Sequence, residues 1–486
     1  MRIIFFTGVL TFLSILNWQC QTNQPISADT FSVEKALAEE AAGWQKAPDI
    51  EERIKAPTFL DQQFNILDFG AKNDPTFDSR AGIMAAIAAA SKVGSGRVVL
   101  PTGTYFSEGP IHLESNINLH LEEGARLFFS SNDKSYLPLV KVRWEGTVCW
   151  NYSPLIYAID KENIAITGTG EIDGNARDWS MEWRKVQKPD KNRLRQMGND
   201  TIPENQRVFG TGFLDLDGDG KDDGFGDGQQ HYLRPTLIEF YNCQNILLDG
   251  VTVKNSPFWT VHPIFSKNVT IKNLKVYGGY LNDDGIDPDS CEDVLIEGCY
   301  IETEDDAISI KAGRDQDAWN RPKSKNILIR NCQLNSGVNS FCVGSEMSGG
   351  VENVFVEDCH ILSGKHGLNF KCNLDRGGQV QNIFLRNITM DTVKQAMFIF
   401  RMDYHGYRGN NFPTKFNNFY ASNIQCKTVE QLPFKIVGVA AEPISRVLLN
   451  NITIDQAGEA SKFEFADQLL FHDVQVNGVA FGLAEE

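Results

Sequence analysis

A seven-residue phrase recurs through the second half of the chain and leaves few folds open. Copies begin at Asn245, Asn268, Asp293, Asn326, Asn353, Asn382 and Arg446, with a weaker one at Asn418. The first six start 23, 25, 33, 27 and 29 residues apart. Each alternates apolar and polar residues, the period-2 signature of a half-buried strand. Short strands repeating every two to three dozen residues indicate a solenoid, whose coils bury apolar faces against their neighbours. The irregular spacing excludes the stricter frame of leucine-rich repeats. The predicted fold is all-β, a right-handed parallel β-helix with an N-terminal capping helix.

A solenoid grows along one axis, so 486 residues need no second globular unit. The expected layout is an export signal over 1–20, a helical and extended segment over 21–60, and a β-helix over 61–486 carrying an insertion at about 178–231. The signal reads from Met1 and Arg2, the apolar run Ile3 to Leu16 and then Cys20. That run is too short to span a bilayer. Cys20 stands where an exported bacterial lipoprotein is acylated, although Asn17, Trp18 and Gln19 are larger than the residues usual before that position. The expected location is the periplasm or outer membrane surface, with lipid anchoring through Cys20. A helix is expected from Ser32 to Gln45, a short strand from Phe64 to Gly70, and an Ala-rich amphipathic helix from Ser79 to Val93 covering the open first coil.

Cys299, Cys332 and Cys359 share one position in successive copies and Cys243 lies in a similar phrase, which predicts stacked buried thiols rather than disulfides. Asn151, Asn199, Asn268, Asn387 and Asn451 head glycosylation triplets, but the last three belong to the strand pattern. A net charge of −17 argues against nucleic acid as a partner. For a polyanionic sugar, local cations must overcome that field.

Acidic clusters fall at matching places in consecutive copies: Asn282 to Asp289, containing Asp283, Asp284, Asp287 and Asp289, and then Asp305 with Asp306. Carboxylates on one face suit glycosidic hydrolysis, in which one acid protonates the leaving oxygen and another activates water. For inversion the two groups stand roughly 6.5–9.5 Å apart. Coils about 4.8 Å apart with a sideways offset can supply that separation. Crowding raises the pKa of at least one member. Asp283, Asp287 and Asp289 also suit plain turn capping.

These motifs, together with Asp68 to Lys72, Leu233 to Pro235, Asn255 to Pro263, Asp305 to Lys311 and Gly344 to Gly350, resemble glycoside hydrolase family 28, the polygalacturonases and rhamnogalacturonan hydrolases. The resemblance spans roughly residues 60–460. It implies a right-handed β-helix, inversion, Asp305 as general acid, and Asp284 with Asp306 holding and deprotonating water. It also implies substrate contacts from Asn282, His262 and Glu346, although His262 between Val261 and Pro263 also reads as a structural histidine.

Two departures bear on substrate. A family His is replaced by Val338, and an Arg-x-Lys pair that grips a uronate becomes Asn369 and Lys371. Losing a guanidinium removes bidentate carboxylate binding. Lys311, Lys371, Arg314 and Arg376 are candidate compensating cations, and His366 a candidate replacement for the His.

Upstream, Asp215, Asp217, Asp219 and Asp223, with Gly220 in sixth place, have the spacing of a calcium loop, although Gly226 occupies the twelfth position. The expected ion is structural, with none required for catalysis. The insertion is expected to wall off one end of the groove and favour attack on chain ends. Three readings compete: an exported hydrolase of galacturonan or rhamnogalacturonan-type pectin, a calcium-dependent polysaccharide lyase, and a non-catalytic carbohydrate-binding solenoid.

Overall fold

The computed structural model describes residues 31–482, so the export signal and Cys20 lie outside the described residues. The chain winds as a right-handed parallel β-helix. The recurring phrases form one of its sheets. Gln244–Asp249, Lys267–Lys272, Glu292–Glu297, Ser324–Arg330 and Val351–Glu357 pair in parallel, with Ile246, Val269, Val294, Ile327 and Val354 in register. All five are fully buried, which is what period-2 alternation requires of the inward face.

The asparagine opening most of the phrases has a double reason. Asn245, Asn268, Asn326, Asn353 and Asn382 take φ of 55–57°, a left-handed turn that Asn tolerates better than most residues. Their amides then ladder along the helix axis. Asn268 donates to Asn245 at 2.7 Å, Asn353 to Asn326 at 3.1 Å and Asn418 to Asn382 at 3.1 Å. Asn387 and Asn451 donate likewise to Asp358 and Asn423, so these three triplet asparagines serve the coil corners.

Cys299, Cys332 and Cys359 are buried free thiols in one column. Cys243 stands in a different one, alternating with serines: its N–H donates to Ser266 Oγ, and that of Cys291 to Ser324 Oγ.

The capping helix forms at Arg80–Lys92 and buries Ile83, Ala86, Ile87 and Ala90 over the first coil. The Phe64–Gly70 strand is shorter than expected. Only Gln63–Asn65 is extended, and Asn65 then caps a 3-10 turn that ends at left-handed Gly70.

The first helix, Val33–Trp44, begins at its Ser32 cap, and a second follows at Ala47–Arg53. Neither covers a coil end. They lie across the outer face of the phrase sheet, where Leu295, Leu328, Phe355, Phe384, Tyr420 and Leu448 form an apolar column. Phe384 stacks on Phe355 at 4.9 Å and on Tyr420 at 5.1 Å, and Trp44 meets Phe355 edge-on at 5.4 Å. Gly43 sits so close to the Phe384 ring that a Cβ would fall 2.0 Å from it.

A third face carries the site. Val261–Ile264, bridges at Ile286 and Asp289, Ile308–Ile310, Asn339–Gly344 and the end of His360–Lys371 stack in parallel. Ile286, Ile308, Ile310, Phe341, Val343, Leu368 and Phe370 point into the core. Alternation therefore sends Asp287, Ser309, Lys311, Cys342, Asn369 and Lys371 outward. Two excursions rise beside this face, the hairpin Val140–Trp144 with Thr147–Asn151, and the helix Lys188–Asn199 within the insertion.

Candidate active site

Register brings the two acidic clusters together. Ile286 bridges Ile308, which places Asp284 level with Asp306 in the next coil. Asp283, which the sequence left as a turn cap, fixes the alignment. Its Oδ1 accepts from the backbone N–H groups of Glu304 (3.0 Å) and Asp305 (2.9 Å), and its Oδ2 from those of Gly279 (2.6 Å) and Tyr280 (3.0 Å). One carboxylate oxygen from each of Asp284, Asp305 and Asp306 lies within 4.8 Å of the other two. This nearest approach of single oxygens is shorter than the 6.5–9.5 Å anticipated between whole carboxyl groups. The strands stack with little sideways shift, so the oxygens approach to about one coil spacing.

Two lysines hold the cluster. Lys311 Nζ lies 3.3 Å from Asp284, 3.6 Å from Glu346, 3.7 Å from Asp287 and 3.9 Å from Asp306. It also stands over the Trp259 ring at 4.5 Å. Lys371 Nζ donates to Asp306 Oδ2 at 2.5 Å. Burial opposes their charge, but these carboxylates outweigh it and hold both ammonium groups well above the usual lysine range.

The acids differ in charge state. Burial, then repulsion from Asp306, raises Asp305 to about 6. Burial also lifts Asp284 well above the carboxylate norm, with Asp287 adding to it and Lys311 opposing it. Burial would likewise raise Asp306, but Lys371 and Lys311 outweigh it and keep that carboxyl low. Asp306 is therefore the member that stays ionised. Asp305 is the most accessible of the three, oriented by N–H donors from Asn282 (3.2 Å from the backbone, 3.4 Å from the amide) and from Asp306 (3.1 Å).

Asn282, Asp284, Asp305, Asp306, Lys311, Glu346, Lys371 and Arg376 converge on one pocket of about 550 Å³ counted with its open mouth. Arg376 is largely committed to Asp315 at 2.6 Å and the Ser345 carbonyl at 2.6 Å. Three candidate contacts lie behind the pocket wall. His262 is fully buried between Glu239 (3.6 Å) and Asp289 (3.4 Å), a structural ion cluster that Arg143 extends at 2.8 Å. Asn369 donates to Asn339 Oδ1 at 2.7 Å, and His366 Nδ1 meets the same oxygen at 2.9 Å. Burial, with the cations Lys365 and Arg401, lowers His366 to about 4, so the ring is neutral.

Asn339, one residue beyond Val338, fills the place beside Asp306. Its amide donates to Asp306 Oδ1, and Cys342 Sγ lies 3.1 Å from Asp306 Oδ2. Sequence reasoning missed both, although their outward positions in the alternation mark them. It also missed Glu145, Lys191, Arg195 and Tyr404, which reach the pocket from the excursions and a late loop.

The calcium-loop residues divide. Asp215, Asp217 and Asp219 bring carboxylate oxygens within 4.8 Å of one another, a convergence that fits a hard cation. Asp223 stands outside that group, and its Oδ2 accepts from the Leu216 N–H at 2.6 Å.

The model of the Glycosyl hydrolases family 28 matches residues 184–468, and one described as Rhamnogalacturonase A/epimerase, pectate lyase-like, matches residues 63–120. A probable polygalacturonase of Vitis vinifera is 28% identical over 415 residues, covering 82% of this chain and 75% of the relative. The exo-poly-alpha-D-galacturonosidase of Dickeya chrysanthemi is 26% identical, over 87% and 69%. Among solved structures, a hyperthermoactive exopolygalacturonase from Thermotoga maritima superposes with a TM-score of 0.83 at 33% identity, covering 90% of this chain and 97% of that one.

Proposed function

This chain belongs to the Glycosyl hydrolases family 28, and from that membership we propose an exported hydrolase that removes uronate residues from the ends of galacturonan or rhamnogalacturonan-type pectic chains with inversion. The observation that carries the chemistry is the split between neighbours. Asp305 retains its proton to about pH 6, while Asp306 is held anionic by Lys371. Asp305 protonates the leaving glycosidic oxygen. Asp306, with Asp284 at its level, orients the attacking water and takes its proton.

Oxygens within 4.8 Å fit the tighter spacing usual for retention, so inversion here rests on the family resemblance. End attack is supported by the insertion helix beside the pocket, to which a late loop is tied where Arg408 Nη1 donates to the Arg195 carbonyl at 3.4 Å. Relatives named as exo-acting galacturonosidases point the same way.

The elimination reading is weaker, because Lys311 and Lys371 already fill the space among the carboxylates where a catalytic cation would sit. A structural calcium belongs instead to Asp215, Asp217 and Asp219. Anchoring through an acylated Cys20 remains part of the proposal.

Product analysis on pectic oligosaccharides tests these points together. Saturated monouronate, formed as the inverted anomer by proton NMR, is expected. Unsaturated uronate absorbing in the ultraviolet would establish elimination, a retained anomer would mean that a carboxylate and not water attacks first, and random internal cuts would refute end attack.

A further inference from the structure

The end of the pocket beside the insertion helix gathers three cations, Lys191, Arg195 and Arg314, around two acids, Glu145 and Glu346. The hairpin delivers Glu145 there through a tight turn, Glu145 with φ 42° and Gly146 with φ 80°. Gly146 lies so close to Arg314 and Glu346 that a Cβ would fall 2.9 Å from the Arg314 backbone nitrogen. The insertion helix docks against the same hairpin, with Gly198 close against Thr147. Lys191 and Arg195, four residues apart on that helix, share one face and both reach Glu145.

Glu145 thus meets three cations: Arg195 at 2.6 Å, Lys191 at 3.1 Å and Arg314 at 3.4 Å. Arg314 has a second carboxylate in Glu346, which Lys311 and Arg376 also share. Among the described residues, Lys191 and Arg195 pair with Glu145 alone. Arg195 makes its one side-chain hydrogen bond among the described residues through Nη2, and its buried Nε has no partner among them. Lys191 spends one of three N–H donors. Both side chains line the pocket with the catalytic acids.

We infer that Lys191 and Arg195 form a clamp for the carboxylate of the chain-terminal uronate. The inference rests on the reading of this site as an exo-acting uronate hydrolase. It also accounts for Asn369. The guanidinium missing from the sheet has a counterpart in Arg195, which approaches from the insertion instead. A carboxylate placed between Arg195 and Lys191 supplies the second anion that these two cations lack, and a charged fork reads it with geometric selectivity. The acidic end of the pocket then holds the scissile bond, while the basic end sets which sugar enters first.

The test compares a galacturonate trimer with the same trimer methyl-esterified, using the full chain and the variants Arg195→Gln, Lys191→Gln and Arg195→Lys. The wild type is expected to prefer the free acid. Arg195→Gln is expected to lower kcat/KM on the acid at least 30-fold, mainly through KM, and to shrink the acid-over-ester preference at least tenfold. Arg195→Lys should recover part of that preference, which a merely structural residue would not show. If Arg195→Gln fails to fold, Lys191→Gln, whose side chain is about one-quarter exposed, carries the same comparison. Variants that keep the wild-type KM and preference overturn the clamp while leaving the hydrolase reading intact. A wild type that cleaves neither trimer overturns that reading and the clamp with it.

Discussion

Lys371 Nζ lies 2.5 Å from Asp306 Oδ2, and both side chains are almost wholly buried, so neither charge has water as an alternative partner. Asp306 also draws on Asn339, Cys342 and Lys311, yet Lys371 makes the closest charged contact. Removing it strands a buried carboxylate. Lys371→Met is expected to cost about 3–5 kcal/mol. Asp306 has a depressed pKa, so its share of stability is present above the unfolded value and is lost as pH falls through the lower folded one. Urea denaturation at pH 7 and pH 3 should therefore show the variant's deficit shrinking in acid. A constant deficit would refute the pair.

Asp305→Asn should lower hydrolysis by about 10²–10⁴ while leaving thermal stability close to wild type. The wild-type kcat/KM should decline above about pH 6 as Asp305 loses its proton. Because Lys371 also lowers that pKa, the residual activity of Lys371→Met should keep its basic limb to higher pH. Substantial turnover by the Asn variant would remove Asp305 from the acid's role.

His262 is opposed by burial but raised to about 9 by Asp289 and Glu239. A raised histidine stabilises fully below its unfolded pKa of about 6.5 and loses that contribution as pH rises through 9. Melting should accordingly weaken from pH 6 to pH 9.5, and His262→Gln should flatten that slope. It should also cost about 3–5 kcal/mol by stranding buried carboxylates. A large change in KM without loss of stability would instead return His262 to substrate contact.

Trp44→Ala should cost about 3–5 kcal/mol, because the indole packs edge-on against Phe355 and beneath the Arg386 guanidinium at 3.7 Å. Calorimetry should show the loss, with activity at 25 °C retained because the arm lies on a different face from the pocket. Unchanged melting would mean the arm is dispensable.

Calcium should raise the melting temperature, by about 2.7 kcal/mol in stability at a hundredfold excess over its Kd. Chelator should reverse this, and Asp217→Asn should abolish it. Indifference of the wild type to both would leave Asp215, Asp217 and Asp219 as a solvated turn.

The acidic trio was legible because its members sit close to strand phrases that announce their own register. Asn339 carried the same alternation signal, but one residue of slip hid it behind Val338. His262 and Asn369 fall on motif positions and His366 is a candidate stand-in for the missing His, yet all three lie behind the pocket wall, since a motif marks a place along the chain and not the neighbours that close over it. The helix of the outer arm was legible, but where it docks was hidden for a related reason. Its amphipathic helices name no partner until the column from Leu295 to Leu448 is assembled from six coils.

The sequence by itself determined the β-helix, its inward column of Ile246, Val269 and Val294, and the left-handed asparagines at its corners. These follow from side-chain alternation and backbone sterics, which act between near neighbours and repeat with each coil. Only the tertiary structure decided that burial raises Asp305 to about 6 while Lys371 and Lys311, against burial, hold Asp306 low, and that Lys191 and Arg195 arrive at the pocket from an insertion more than a hundred residues upstream of Asp305. Charge state and pocket shape depend on distances between residues remote in the chain and on the water excluded among them, and no local pattern encodes either.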